Sequence, residues 1–148
     1  MAVDMSGEEH IAAPVQKVWE ALNDPAVLKA CIPGCDSLEK VSDTELTAVV
    51  SLKIGPIKAK FNGQIELKNL KPPHSYTISG EGKGGVAGFA KGGADVVLKP
   101  DGDSTLLSYT ARADVGGKIA QLGGRLIQSS SKKLAGEFFS KFNETVSG

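Results

Sequence analysis

The chain has 148 residues, enough to build one hydrophobic core without disulfide or metal support. Lys plus Arg and Asp plus Glu number 17 each, and this zero net charge does not favour nucleic acid or an anionic membrane. No apolar run reaches the roughly 18 residues of a membrane span, and no secretory signal begins the chain. Two cysteines make no disulfide framework. We expect one domain over residues 1–148 in a reducing cytoplasm.

The N-terminal third predicts one strand followed by two short helices. Residues 5–11 fit a first strand, and Pro14 then stands where a helix start tolerates proline. Apolar residues at helical spacing continue to Leu22. Asp24-Pro25 repeats the start signal, and Pro33-Gly34 ends this second helix.

From Leu46 onward the apolar period changes from helical to two. The alternation runs to Ile54, breaks at Gly55-Pro56 and resumes to Leu67. Further alternating segments cover residues 76–78, 94–98 and 107–115, and Pro100 to Asp103 makes a strong hairpin turn. Strict alternation gives each strand one buried and one wet face, which is typical of an antiparallel sheet. We predict a curved sheet of about seven strands.

A long C-terminal helix is predicted over residues 117–146. Seven positions at four-residue spacing form an oblique stripe, and six of them are large and apolar. Ser130 interrupts the stripe, and Gly123, Gly124 and Gly136 each cost about 1 kcal/mol in a helix interior. We interpret these glycines as an adaptation to roofing a cavity. The stripe consists of Leu122, Leu126, Ser130, Leu134, Phe138, Phe142 and Val146.

The two short helices can close one end of the sheet, but a single long helix cannot fill the concavity of so large a sheet. We therefore predict an α+β architecture with an elongated apolar cavity. The inner face of the sheet also carries small residues where larger ones would pack: Ala48, Ala59, Gly63, Ala94, Ala111 and Ala113. We predict that the ligand cavity is lined by Phe61, Ile65, Ile78, Tyr109, Leu122, Leu126, Ser130 and Leu134. Phe89, in the mobile glycine-rich segment from Gly84, is expected to act as a lid.

Several motifs fail the context that their chemistry requires. Residues 82–87 match a dinucleotide fingerprint, G-x-G-x-x-A, but no helix follows to receive a pyrophosphate. A hairpin that leaves room for a neighbour, or one that allows a bulge, fits this segment better. Cys31 and Cys35 are separated by three residues, without a second pair of metal ligands. His10 and His74 stand outside any metal or catalytic spacing.

Catalytic groups are also missing from the predicted inner face. The alternation puts Glu66, Asp95 and Asp114 on outer faces. The inner polar groups are Tyr76, Tyr109, Asn69 and Ser130, which can orient a ligand but lack a neighbouring base. Ser130 has a second interpretation, a hydrogen bond to the Leu126 carbonyl within its own helix. We therefore predict no catalytic residue, no metal and no cofactor.

Five motifs, in order along nearly the whole chain, resemble the family of the carbon monoxide dehydrogenase G subunit. This family belongs to the START-like, pollen-allergen-like helix-grip superfamily, in which a sheet wraps a long C-terminal helix around an apolar cavity. The resemblance therefore implies the helix-grip fold. The motifs are Pro14…Val18-Trp19…Leu22, Asp24-Pro25…Leu28…Cys31-Ile32-Pro33-Gly34-Cys35, Gly55-Pro56…Phe61…Gly63, Gly80-Glu81-Gly82-Lys83-Gly84-Gly85…Gly88-Phe89-Ala90 and Gln121-Leu122-Gly123…Leu126-Ile127.

For function, the resemblance implies a non-catalytic accessory protein that binds a lipophilic ligand, with a respiratory quinone as the candidate. The implied partner is a molybdenum hydroxylase of the carbon monoxide dehydrogenase type, which the family is associated with recruiting to the membrane. Longer family members continue into a membrane-binding tail, whereas this sequence ends at Gly148. Any membrane contact is expected to be peripheral, at the inner face of the cytoplasmic membrane. Two alternatives stay open: an enzyme of the same fold, such as a cyclase or hydrolase, and a ligand-free assembly factor.

Overall fold

The computed structural model describes residues 1–147, which form seven strands and three α-helices. Two short 3-10 turns, Gly85–Ala87 and Lys118–Leu122, lie between these elements. The elements are β1 (Ala2–Ile11), α1 (Val15–Leu22), α2 (Pro25–Cys31), β2 (Cys35–Lys40), β3 (Glu45–Ile54), β4 (Ile57–Lys71), β5 (Ser75–Lys83), β6 (Phe89–Asp101), β7 (Ser104–Gly116) and α3 (Gly124–Ser147).

The strands form one antiparallel sheet in the order β1-β7-β6-β5-β4-β3-β2. Strands β2 to β7 follow one another as hairpins, and β1 pairs with β7, so the first strand lies at one edge. The period-two pattern produces this arrangement because each strand presents one apolar and one polar face. The predicted architecture, a seven-stranded sheet with two short helices after β1 and a long C-terminal helix, is confirmed.

Local signals also fix the short helices and the hairpins as predicted. The Asp24 side chain accepts a hydrogen bond of 2.9 Å from the Ala26 amide, and Pro25 is the first residue of α2. Gly102 has φ +62° in the β6–β7 hairpin, where glycine reaches this conformation without strain. The glycine-rich segment after Lys83 lies in the β5–β6 hairpin, as expected.

The C-terminal helix begins later than predicted. Gly123 has φ +93°, which is outside the helical region, and α3 starts only at Gly124. Gly136 lies inside α3 but faces solvent, with no neighbouring atom within 4 Å of a Cβ placed on it. The interpretation of the three glycines as an adaptation to roofing a cavity is therefore wrong, because two precede or begin the helix and the third points outward.

Side-chain hydrogen bonds attach α3 to the edge strand β1. Gln128 Nε2 donates to the carbonyl oxygen of Asp4 at 2.8 Å. Asn143 Nδ2 donates to the carbonyl oxygen of His10 at 3.0 Å, while its Oδ1 accepts from the Ala12 amide at 3.0 Å. These bonds satisfy backbone groups that an edge strand would otherwise leave unpaired. They hold both halves of α3 at one edge of the sheet.

The core divides into two clusters along α3. The cluster around the C-terminal half of α3 includes Trp19, Leu107 and Phe142, and the other includes Phe61 and Ile127. Between them, the inner face of the sheet is made of small residues in neighbouring register. These are Ala48, Gly63, Gly80, Gly82, Gly92, Ala94, Ala111 and Ala113. The fold thus leaves little side-chain volume at the middle of its inner face.

Candidate functional site

An apolar cavity of about 200 Å³ lies between the two short helices, strands β2 to β7 and the C-terminal half of α3. The wall is mainly aliphatic, and Phe138 and Phe139 close it on the helix side. Because exposed Lys40 and Asp43 also border it, we place the mouth beside β2. The aliphatic lining residues are Leu22, Leu28, Ile32, Leu38, Leu46, Ile65, Leu67, Ile78, Val96 and Leu107.

Aromatic contacts hold the helix side of this cavity in place. Phe139 stacks on Tyr109 with ring centroids 5.2 Å apart and meets Phe138 edge-on at 5.1 Å. Phe138 stacks in turn on the fully buried Phe142 at 5.7 Å. Such pairs contribute about 0.5–1.5 kcal/mol beyond the area they bury. The two phenylalanines that face the cavity are therefore supported from behind by further rings.

Tyr76 is the buried polar residue of the cavity wall. Its side chain is 4% exposed, and its ring meets Trp19 edge-on at 5.3 Å. The hydroxyl makes no hydrogen bond to any group of residues 1–147. Every side-chain polar atom that is fully enclosed within these residues does have a hydrogen-bond partner. The Tyr76 hydroxyl therefore keeps contact with open space. Burial raises the pKa of Tyr76 well above the usual range of tyrosine, so the hydroxyl stays protonated.

Two of the predicted site residues, Ile65 and Ile78, line the cavity. Tyr109 lies behind the wall, stacked on Phe139, and its pKa is raised by burial and by the charge of Glu9. Ser130 and Leu134, in the middle of α3, are half-buried and do not border this cavity.

The other predicted residues lie towards the opposite end of the molecule. Phe61 belongs to the second core cluster, and its ring lies against Gly84. Leu122 and Leu126 approach the β3–β4 turn at Gly55. Phe89 is 45% exposed and packs over Gly116. It lies seven residues from Val96 along β6, about 23 Å at 3.3 Å per residue, so the structure does not bring it to the mouth of this cavity.

Beyond the cavity, two glycines on the inner face of the sheet have few neighbouring atoms. A Cβ atom placed on Gly63 would have only two neighbouring atoms within 4 Å, the carbonyl oxygens of Ala48 and Glu81. At Gly82 the one such neighbour is the Phe61 Cβ. No atom of α3 comes within 4 Å of either position. The helix therefore does not pack onto the sheet here.

Sequence reasoning missed the contribution of the two short helices: Leu22 of α1, Leu28 of α2 and Ile32, which directly follows α2, close one side of the cavity. It assigned Tyr76 to the inner face but left it out of the site, although the period of two already places it on the same face as Ile78. The assignment of Asn69 to the inner face is wrong. The register shifts between Lys68 and Lys71, which turns Asn69 outward.

Other groups with chemical potential lie outside the cavity. The thiol of Cys31 is buried and that of Cys35 half-buried, and burial is the main cause that raises the pKa of Cys35. His10 and His74 are both exposed. Within residues 1–147, no three His, Cys, Asp or Glu side chains are arranged to hold a metal ion. In the same range, no helix is both long and apolar enough to span a membrane.

Comparison with known protein families assigns the chain to one of them. The family model that describes the G subunit of carbon monoxide dehydrogenase (CoxG) matches residues 7–147. The chain belongs to the CoxG family. A crystal structure of a conserved protein from Geobacillus kaustophilus is 34% identical with a TM-score of 0.92, covering 97% of this CoxG chain and 95% of that one. No curated protein sequence matches.

More distant solved structures share the fold of this CoxG protein. A START superfamily protein from Mycobacterium smegmatis is 15% identical with a TM-score of 0.73, covering 97% of this chain and 96% of that one. The Zhui aromatase/cyclase from Streptomyces sp. R1128 is 11% identical with a TM-score of 0.72, covering 99% and 94%. The predicted helix-grip fold of START-like proteins is therefore confirmed, while these identities carry no statement about activity.

Proposed function

We propose that this CoxG protein is a cytoplasmic, non-catalytic accessory protein that binds a lipophilic molecule of the quinone class. The observation that carries the proposal is the apolar cavity beneath Phe138 and Phe139, with one buried hydroxyl in its wall. Ligand sites of this kind combine an apolar lining with few polar groups. The family name supports an association with carbon monoxide dehydrogenase. We extend this to a proposed role in recruiting a molybdenum hydroxylase of that type to the membrane.

The ligand is proposed to extend beyond the cavity along the inner face of the sheet. From Ile65 the path continues over Gly63 and Gly80, where side-chain volume is small. Ser130, Leu134 and five further predicted residues are half-buried although their pattern turns them inward. This supports free space beneath α3, leading towards Leu126 and Leu122 and ending near Phe61, with Phe89 at the far hairpin. The five further residues are Ile65, Ile78, Tyr109, Leu122 and Leu126.

A binding role is favoured over catalysis by the groups at the cavity. The polar residues on its wall and rim are Tyr76, Asn23, Lys40 and Asp43. Asn23 already donates to the Trp19 carbonyl oxygen at 2.9 Å, while Lys40 and Asp43 are exposed. A hydroxyl without a neighbouring base orients a ligand better than it attacks one. The alternative of a ligand-free assembly factor is separated from this proposal by the following experiment.

Organic extraction of the purified protein followed by mass spectrometry should identify a co-purified lipophilic molecule. Duroquinone, a fully substituted quinone that resists addition of thiols, should then bind to the ligand-depleted protein. Ile78→Phe adds bulk on the cavity wall and should weaken binding at least tenfold. Val97→Phe, a matched change on the outer face of β6, should leave it unchanged because Val97 is 39% exposed. Absence of both a co-purified molecule and duroquinone binding would favour the assembly-factor alternative.

The partner part of the proposal is tested separately. Tagged protein should retain a molybdenum hydroxylase of the carbon monoxide dehydrogenase type from the same genome, and the complex should float with lipid vesicles more than the enzyme alone. If the hydroxylase does not bind the protein, and the protein does not increase flotation of the hydroxylase with vesicles, the accessory role is refuted. The proposal of ligand binding would still stand.

A further inference from the structure

The hydroxyl of Tyr76 belongs to a buried side chain and makes no hydrogen bond within residues 1–147. The side chain is 4% exposed, its ring is fixed edge-on by Trp19, and the residue lines the apolar cavity. Buried polar groups in proteins are hydrogen-bonded in the great majority of cases, since an unmet bond costs about 1–3 kcal/mol. Every fully enclosed side-chain polar atom of residues 1–147 has a partner, so this hydroxyl must contact the open space of the cavity. The missing partner therefore belongs in the cavity.

We propose that Tyr76 donates a hydrogen bond to an uncharged oxygen, of the carbonyl type, on the bound ligand. This inference rests on the proposed binding function and deepens it, because it sets the ligand class and its orientation. The oxygen-bearing head of the ligand lies at Tyr76, deep in the cavity, and the apolar remainder extends away from it.

The surroundings of the hydroxyl select a neutral head group. The cavity wall near Tyr76 is built from Leu67, Ile78 and Val96, which offer no counter-charge. Taking a carboxylate into such a setting is strongly unfavourable unless a cation accompanies it. The cation of the cavity rim is Lys40, which is exposed at the mouth. A fatty acid would therefore direct its carboxylate outward to Lys40 and leave Tyr76 unsatisfied, whereas a quinone carbonyl satisfies it.

The size of the cavity supports the same orientation. At about 200 Å³ it is smaller than the roughly 300–1,000 Å³ typical of sites for drug-sized ligands. It therefore suits a ring-sized head and not a whole lipid. The adjoining space over Gly63 and Gly82 is bordered by strand atoms that offer no side-chain hydrogen-bond donor, so it suits the hydrocarbon part.

Two probes with the same carbon skeleton isolate the hydrogen bond. Duroquinone carries two carbonyl oxygens, and durene is the same methylated ring without them. Tyr76→Phe should weaken duroquinone binding about three- to tenfold, the effect of one hydrogen bond, and leave durene binding unchanged. Tyr109→Phe is the matched control, because this chain has only these two tyrosines and Tyr109 stacks behind the cavity wall. It should alter neither affinity. NMR titration of methyl signals measures both probes.

Two further readouts separate hydrogen bonding from a merely structural role. The infrared carbonyl stretch of bound duroquinone should lie at lower frequency in the wild type than in Tyr76→Phe. The ligand-free variant should melt at or above the wild-type temperature, since the hydroxyl it loses has no partner there.

The outcomes distinguish this inference from the proposed function. If the wild type binds both probes but Tyr76→Phe weakens neither, or weakens both equally, the hydrogen bond is refuted and cavity binding stands. If the wild type binds neither probe, the inference fails, and the proposed function fails with it when no lipophilic molecule co-purifies either. A clearly lowered melting temperature of ligand-free Tyr76→Phe would reveal an internal partner of the hydroxyl and would also overturn the inference.

Discussion

Replacing Gly63 by alanine tests whether α3 leaves the centre of the inner face uncovered. The new Cβ would lie 3.7 Å from the Ala48 carbonyl oxygen and 3.9 Å from that of Glu81, both ordinary van der Waals distances. Glycine in a strand is about 0.5–1 kcal/mol less stable than alanine. Because no helix atom must move, Gly63→Ala should raise the free energy of unfolding by that amount, or the melting temperature by about 1–4 °C.

Gly92→Ala is the matched control on β6. By register, Gly92 and Gly63 both neighbour positions of β5, but a Cβ on Gly92 would overlap the carbonyl oxygen of Arg112 and lie 2.7 Å from the Cα of Ala113. These are backbone atoms, so relief requires the strands to shift. We expect a destabilisation of about 1–3 kcal/mol, which lowers the melting temperature by several degrees.

Thermal and urea unfolding of the two ligand-free variants beside the wild type provides the assay. The reasoning requires opposite signs for Gly63→Ala and Gly92→Ala. A melting temperature of Gly63→Ala clearly below that of the wild type would show that atoms of α3 already fill the space above Gly63. The proposed ligand path along the sheet would then be refuted, even though the cavity at Tyr76 would stand.

Two further predictions concern the predicted tunnel. Ser130→Leu should maintain or raise stability, by about 0.8 kcal/mol for each newly buried methylene, and should weaken binding of a quinone that carries a hydrocarbon tail, because Ser130 lies along the proposed ligand path and not at the cavity near Tyr76; a lower melting temperature with unchanged affinity for that quinone would remove Ser130 from the site. The hairpin from Gly84 to Phe89 should exchange its amide hydrogens quickly without ligand and more slowly with it, because Val86 is 88% and Phe89 45% exposed. Strong protection in the ligand-free protein would contradict the expected mobility.

The sequence by itself determined most of the elements and the antiparallel character of the sheet, although it predicted neither β2 nor the pairing of β1 with β7. Period-two alternation between turn signals specifies antiparallel strands, and Asp24-Pro25 specifies a helix start, because these signals act between residues close in the chain. The five ordered motifs also indicated the correct family, because together they span nearly the whole chain. Local errors arose where one backbone conformation breaks a pattern: Gly123 delays the helix, and the shifted register after Lys68 turns Asn69 outward.

Only the tertiary structure decided where the cavity lies and which polar group faces it. The position of α3 depends on bonds such as Gln128 to Asp4 and Asn143 to His10, which join residues more than 120 positions apart. No local period encodes these bonds. They hold α3 at the β1 edge, so the cavity opens beneath Phe138 and Phe139, near the C-terminal end of the helix rather than its start. Tyr76 gained its importance in the same way, because whether a buried hydroxyl has a partner depends on every element packed around it.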